Sequence, residues 1–203
     1  MTTLETTGSR RQRPNDPDRR ARIARAAIDI VAERGVDGLT HRAVATTAGV
    51  PLGSTTYHFR TLDDLLEVAL HLAAQDNVER LQRWERSVPQ DADFAVALAE
   101  LVTGYLRQEA RHNVVEHDLY VAALHRPQLR AVSNAWDNAL IELFGSRTDA
   151  LTGRLLAGLF CGLLMQAAVA DPTPSAHAIE TLFRRAIEGP NAAKEEHGDG
   201  ADT

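Results

Sequence analysis

The sequence predicts an all-α protein in which a small N-terminal unit of three helices precedes a larger helical body. Three observations carry that expectation. Apolar residues recur at helical spacing along most of the 203-residue chain, and no strand-like alternation competes with them. The stretch from Leu39 to Phe59 reads as two short helices joined at Ala48-Gly49-Val50. Helix punctuation stands where that reading needs it, with Thr40 and Thr61 as N-caps and Gly35 and Gly49 as stops.

The first helix is predicted from Asp18 to Arg34, with Ile23, Ala27, Ile30 and Val31 on one stripe and Gly35 closing it. Thr40 then offers a hydroxyl to an N–H that the first turn of the next helix leaves unpaired, and Val44 and Ala48 share one face. Gly49, lacking a Cβ, takes up a left-handed conformation without cost, and Pro51 is expected in the first turn of the third helix. Leu52 to His58 is short and mostly polar, the equipment of a recognition helix in a DNA major groove. Phe59 is expected to bury its ring beneath the stripe of the first helix.

From Thr61, with Asp63 and Asp64 in a favourable first turn, a long helix carries Leu65, Leu66, Ala69 and Leu72 toward Trp84. Further helices follow around Phe94 to Tyr105, Val114 to Leu124 and Leu129 to Leu140, with Pro127 interrupting between the last two. Leu151 to Val169 and Ala176 to Ile187 complete the set. The expected division is 1–16 a disordered arm, 17–64 the helix-turn-helix domain, 65–188 the helical body and 189–203 a disordered tail. Arg10, Arg11 and Arg13 leave two readings of the arm open, a flexible DNA contact or a plain disordered terminus.

Composition fits a soluble intracellular protein: 44% hydrophobic and 25% charged, with one cysteine, Cys161, which excludes an intrachain disulfide framework. Residues 1–16 are polar and show no signal peptide. The longest apolar run, 155–170, falls short of the ~20 residues that span a bilayer, so a cytoplasmic location is expected. Net charge is −6, unevenly spread. Residues 1–62 hold 10 Arg and no Lys against 6 Asp and Glu, a net +4, while residues 63–203 carry −10. The basic end is the helix-turn-helix end, which suits approach to phosphate.

Leu39, Thr40, Arg42, Val44, Ala45, Ala48, Gly49, Val50, Gly53, Tyr57, His58 and Phe59 stand in the register of a known motif, preceded by Ala26-Ala27-Ile28 and Ala32-Glu33-Arg34-Gly35. On these residues the chain resembles the TetR family of one-component transcriptional regulators, across about residues 17–70. That resemblance implies a homodimeric repressor, released from a palindromic double-stranded DNA operator by a small-molecule effector. It implies DNA contacts from Thr40, His41 and Arg42, and from Leu52, Gly53, Ser54, Thr56, Tyr57 and His58 on the recognition helix. Three positions depart from the family pattern: Leu52 and Leu62 replace frequent lysines, and Thr56 a frequent tyrosine. Each removes a phosphate donor, and they motivate an alternative, a helical ligand- or metal-binding protein with lost or weak DNA binding.

The resemblance also implies an effector cavity in the helical body, for which Trp84, Tyr105, His117, Tyr120 and Trp136 are the chief candidates, with His112 and Phe144 beside them. The last two helices are expected to pack against those of a second subunit. Gly158 and Gly162 would permit close approach there, and Leu155, Leu159, Leu163, Ile179, Leu182 and Phe183 would supply apolar area. No catalytic residues, cofactor or metal site is expected. His112 and His117 lie about 140° apart around a helix, unlike an i,i+4 zinc pair. Cys161 sits in an apolar run with no base nearby in sequence and reads as an inert buried thiol.

Overall fold

The computed structural model describes residues 18–189 apart from 109; within the helices the side chains at 108, 110–114, 116 and 119 also lie outside the description. The described residues form nine α-helices and no strand: α1 Arg19–Arg34, α2 His41–Thr47, α3 Leu52–His58, α4 Leu62–Ser87, α5 Phe94–Gln108, α6 Ala110–His125, α7 Arg130–Gly145, α8 Ala150–Val169 and α9 Ala176–Glu188. Short 3-10 turns at Val36–Gly38 and Pro127–Leu129 precede α2 and α7. The expected arm, with Arg10, Arg11 and Arg13, lies outside the described residues, as does the tail from 190 on. Gly189 still belongs to the fold, closing α9 with φ at +74°.

Local chemistry sets the helix ends. Thr40 Oγ1 accepts the Ala43 N–H at 3.1 Å. At α4, Thr61 Oγ1 accepts from Asp64 N while Asp64 Oδ2 accepts from Thr61 N, both at 3.0 Å, a reciprocal capping box. Asp149 caps α8 by accepting from the Leu151 and Thr152 N–H groups, and Ser175 caps α9 by accepting from Ala178 N. Gly49 has φ at +62°, the left-handed turn the motif requires. Pro51 differs from expectation: its ψ of 144° is extended, so it stands at the N-cap and Leu52 begins α3.

Two apolar cores result, and α4 contributes to both. The first joins Ile23, Ala27, Ile30 and Val31 of α1 to Val44, Phe59, Leu65, Leu66, Ala69 and Leu70, with Ala122 and Ala123 of α6 closing it. Phe59 is 1% exposed beneath α1, a burial of about 1.5–3 kcal/mol, and the Arg20 guanidinium lies 4.9 Å from its ring centroid. The second contains Leu81, Leu98, Val102, Tyr105, Trp136, Leu140, Phe144, Leu156 and Phe160.

That second core also claims three residues expected at an intersubunit surface. Leu163, Ile179 and Phe183 are buried within this one chain, because α9 turns one face inward against α5 and α8. Leu155, Gly158 and Leu182 remain exposed, and Leu159 and Gly162 are half-buried. Within the single chain, close approach occurs at a different glycine. A Cβ at Gly158 or Gly162 would meet nothing within 4 Å, whereas one at Gly153 would lie 2.6 Å from Gly145 Cα and 2.8 Å from Ile141 O. The tight crossing is therefore between α7 and α8 of the same chain. At 20 residues and mean hydropathy 1.4, α8 is long and apolar enough to cross a membrane, so the length argument fails; what distinguishes it is its packing against α5, α7 and α9.

The C-terminal end of α4 is held from outside by Arg147, whose side chain is 7% exposed. Its Nε donates to Glu85 Oε1 at 3.0 Å, and its terminal nitrogens donate to the carbonyls of Glu85, Val88 and Pro89 at 2.6–3.1 Å. The Glu85 and Pro89 carbonyls also accept from the Val88 and Ala92 N–H groups, so Arg147 adds a second donor to each and supplies one to the Val88 carbonyl.

Gly153→Ala is expected to destabilise the protein by about 1–3 kcal/mol, as overpacking does, and Gly158→Ala to leave stability unchanged or raise it by up to about 1 kcal/mol through helix propensity. Urea unfolding of both variants checks this contrast.

Candidate DNA interface and effector cavity

The helix-turn-helix presents one polar face. Arg42 is exposed on the first turn of α2 with no side-chain partner among the described residues, and Tyr57 on α3 is 83% exposed, its ring edge-on to His58 at 5.2 Å. Leu52, Gly53 and Thr56 are exposed beside them, Thr40 is exposed at the start of α2, and His41, Ser54 and His58 are half-buried. Thr55, passed over as part of the polar run, is fully buried, and its Oγ1 donates to Leu52 O at 2.7 Å. Its place four residues before Phe59 was the available signal, because that spacing puts both on the inward face.

A cavity of about 370 Å³ lies between α6, α7 and α8. His117 and Tyr120 line it from α6, Trp136, Asp137 and Ile141 from α7, and Arg154, Gly158, Cys161, Gly162 and Met165 from α8. Three of the five chief candidates are thus brought together. The other two belong to the packed core. Trp84 stacks on Phe94 at 6.3 Å and meets Phe144 edge-on, while Tyr105 is 2% exposed, donates to Asn77 Oδ1 at 2.9 Å and packs edge-on against Phe160. Phe144 is buried as well, and the His112 side chain lies outside the described residues. Cys161 is half-buried on the cavity wall, not sealed within the core.

Asp137 is the polar wall residue the sequence did not reveal. The Tyr120 hydroxyl donates to its carboxylate, and burial pushes its carboxyl above the usual range. Among the described residues no cluster of three metal-ligating side chains occurs.

The opposite side of α6 faces the helix-turn-helix unit. Asp118, next to His117 in sequence, turns away from the cavity toward Gly35, Val36 and Asp37, with its carboxylate near the Val36 N–H. Burial raises its carboxyl, nearby Asp37 adds to that, and His117 and the Val36 N–H oppose it. Just past the end of α6, Arg126 Nε meets Asp63 Oδ1 of α4 at 3.1 Å. One helix thus touches the cavity with one face and the N-terminal unit with the other.

Comparison with known proteins agrees with this architecture. Residues 89–189 match the family described as Tetracyclin repressor-like, C-terminal domain. The multidrug binding protein EbrR, solved in complex with imidazole, superposes with a TM-score of 0.74 at 38% identity, covering 88% of this chain and 100% of that one. A TetR-family member from Streptomyces coelicolor A3, SCO1917, gives a TM-score of 0.74 at 38% identity over 84% of this chain and 99% of its own. The chain belongs to the TetR family of transcriptional regulators. Over 64 residues the chain is also 36% identical to the HTH-type transcriptional regulator PksA of Bacillus subtilis (strain 168), a match spanning 32% of this chain and 31% of that protein. TetR-family regulators bind DNA and, usually as dimers, small molecules; as transcription factors they are generally non-enzymatic.

In this TetR-family regulator the raised carboxyl of Asp118 has a stability consequence. The folded form holds its proton to higher pH than the unfolded chain, so this group's contribution to stability is greatest in acid and falls as pH rises above the unfolded value of 3.8. Asp118→Asn keeps an acceptor for the Val36 N–H and removes the desolvated charge. It is expected to raise Tm at pH 7, with the gain shrinking toward pH 4; thermal melts across that range check the sign.

Proposed function

We propose that the protein is a homodimeric repressor that holds a palindromic operator through α2 and α3 and is released by a small molecule in the cavity between α6, α7 and α8. The observation that carries this reading is the double-faced α6, on which His117 and Tyr120 reach the cavity while Asp118 reaches the helix-turn-helix unit and Arg126, just past the helix end, reaches α4. A ligand displacing α6 would act on the N-terminal unit directly, and release requires only that it bind the displaced arrangement more tightly. EbrR, described as a multidrug binding protein, has been solved with proflavin, ethidium and malachite green. Trp136 and Tyr120 would give an aromatic effector comparable surfaces here.

On the DNA side, Arg42 provides a guanidinium fork for a base edge or phosphate, and Tyr57 and His58 provide phosphate donors. Thr40 and His41 add backbone contacts, and the methyl groups of Leu52 and Thr56 suit thymine. Gly53 supports the same reading. A side chain there would meet nothing within the protein, yet glycine in a helix costs about 1 kcal/mol relative to alanine, so the reason for it is sought in an approaching partner. For the dimer, Leu151, Leu155, Met165 and Val169 of α8 and Leu182 of α9 leave apolar surface exposed beside Gly158 and Gly162. We place the protein in the cytoplasm with its DNA.

The test is fluorescence anisotropy with DNA flanking the protein's own coding region, across several salt concentrations. Steep salt dependence with a saturable specific site supports the repressor, and salt-insensitive or absent binding favours a ligand-binding protein that has lost DNA recognition. Arg42→Ala is expected to weaken operator binding by about 1–3 kcal/mol and to relax preference at one base pair. Tyr57→Phe should weaken specific and non-specific DNA equally. Leu155→Glu combined with Leu182→Glu should give monomers in sedimentation and cost the gain from linking two half-sites; dimers that still bind the full operator would move the interface elsewhere.

A further inference from the structure

We propose that the cavity selects its occupant by positive charge, with Asp137 as counter-ion to the cationic centre of an aromatic ligand. This rests on the cavity being the effector site. Most of the wall around Asp137 is apolar or aromatic, and the residue is half-buried there, which disfavours its charged form. A carboxylate in such a place is normally paired. Among the described residues the Tyr120 hydroxyl is its one hydrogen-bond partner, and no Lys, Arg or His side chain pairs with it.

One neutral donor orients a carboxylate without neutralising it, so the remaining acceptor capacity faces the cavity unmatched. A bound cation would supply what the protein withholds, and the faces of Trp136 and Tyr120 would add attraction to the same charge. Besides Tyr120, two other titratable or charged side chains among the described residues line the space with Asp137, namely His117 and Arg154. Arg154 is exposed on α8 and keeps its hydration, so it does not compensate Asp137. The net charge of −10 over residues 63–203 draws cations toward this half of the molecule.

The consequence is selective and linked to protons. A cation binds the ionised carboxylate, which burial disfavours, so its affinity should rise with pH through the Asp137 titration, whereas a neutral ligand of the same shape should ignore it. The experiment uses the full chain and two three-ring probes of matched outline, 10-methylacridinium, which stays charged across the acid-to-neutral range titrated, and 9-methylanthracene, which is neutral throughout. Probe fluorescence is titrated with wild type, Asp137→Asn and Asp137→Glu, with circular dichroism showing that each variant keeps its helices.

Asp137→Asn is expected to weaken acridinium binding about ten-fold or more while leaving methylanthracene within about two-fold, and to abolish the pH dependence seen for the cation in wild type. Asp137→Glu should retain the preference. An equal loss for both probes, an unchanged cation affinity, or no cation binding to wild type would each overturn the proposal. Operator release, measured separately, keeps the two readings apart. Release by a small molecule without charge selection leaves the repressor standing and removes the role of Asp137; charge selection without release does the reverse.

Discussion

The architecture depends on a length of helix that cannot bend cheaply. α4 runs for 26 residues, about 39 Å at 1.5 Å per residue, and its inward residues belong to two separate cores. Any tilt of its C-terminal half must be absorbed by breaking backbone hydrogen bonds or be passed to Leu65, Leu66 and Ala69 beneath the helix-turn-helix. Both ends are fixed by side chains, the Thr61–Asp64 box at one and the Arg147 guanidinium at the other. The N-terminal unit is therefore oriented by the body and not merely tethered to it. The passage of α4 without interruption through residues 64 and 65 is the physical form of that coupling.

α6 reinforces the connection from the side. Its contacts with the first core, through Ala122 and Ala123, are apolar and close, while Arg126–Asp63 is a surface pair worth at most about 1 kcal/mol. Packing, more than the ion pair, determines where α6 rests. The cavity lies on the less tightly filled side of the same helix, so occupancy there competes with a packed arrangement on the other. Interiors that are close-packed on one side and open on the other move as units, because no single side chain can yield alone.

The parts legible in the sequence were those decided locally. Thr40, Gly49 and Thr61 declare themselves because a cap or a left-handed turn is determined by a few adjacent residues, and the α1 stripe follows from spacing alone. What a helix face meets is not local. Gly153 and Gly158 are indistinguishable in the sequence, yet one touches Gly145 and the other touches nothing. Trp84 and Tyr105 looked as suited to a cavity as Tyr120 and Trp136, since the crossing of α4, α5 and α7 decides which aromatics are covered. Asp137 and Arg147 carry no such local signal, because a charged residue is ordinarily a solvated one. Only tertiary placement shows that one sits on a cavity wall and the other closes the end of α4.

The opposed orientations of His117 and Asp118 bear on how this chain can vary in length. Successive residues of an α-helix are rotated by about 100°, so a single insertion or deletion within α6 would swing every later side chain by that angle. Tyr120 would leave the cavity and Arg126 would leave Asp63 in the same stroke, each replaced by a neighbour of different chemistry. Loops such as the one before α9 can gain or lose residues without disturbing either contact. α6 is thus a segment whose reading frame in space is fixed from two sides, tolerant of exchanged residues at its exposed positions and intolerant of any change in their number.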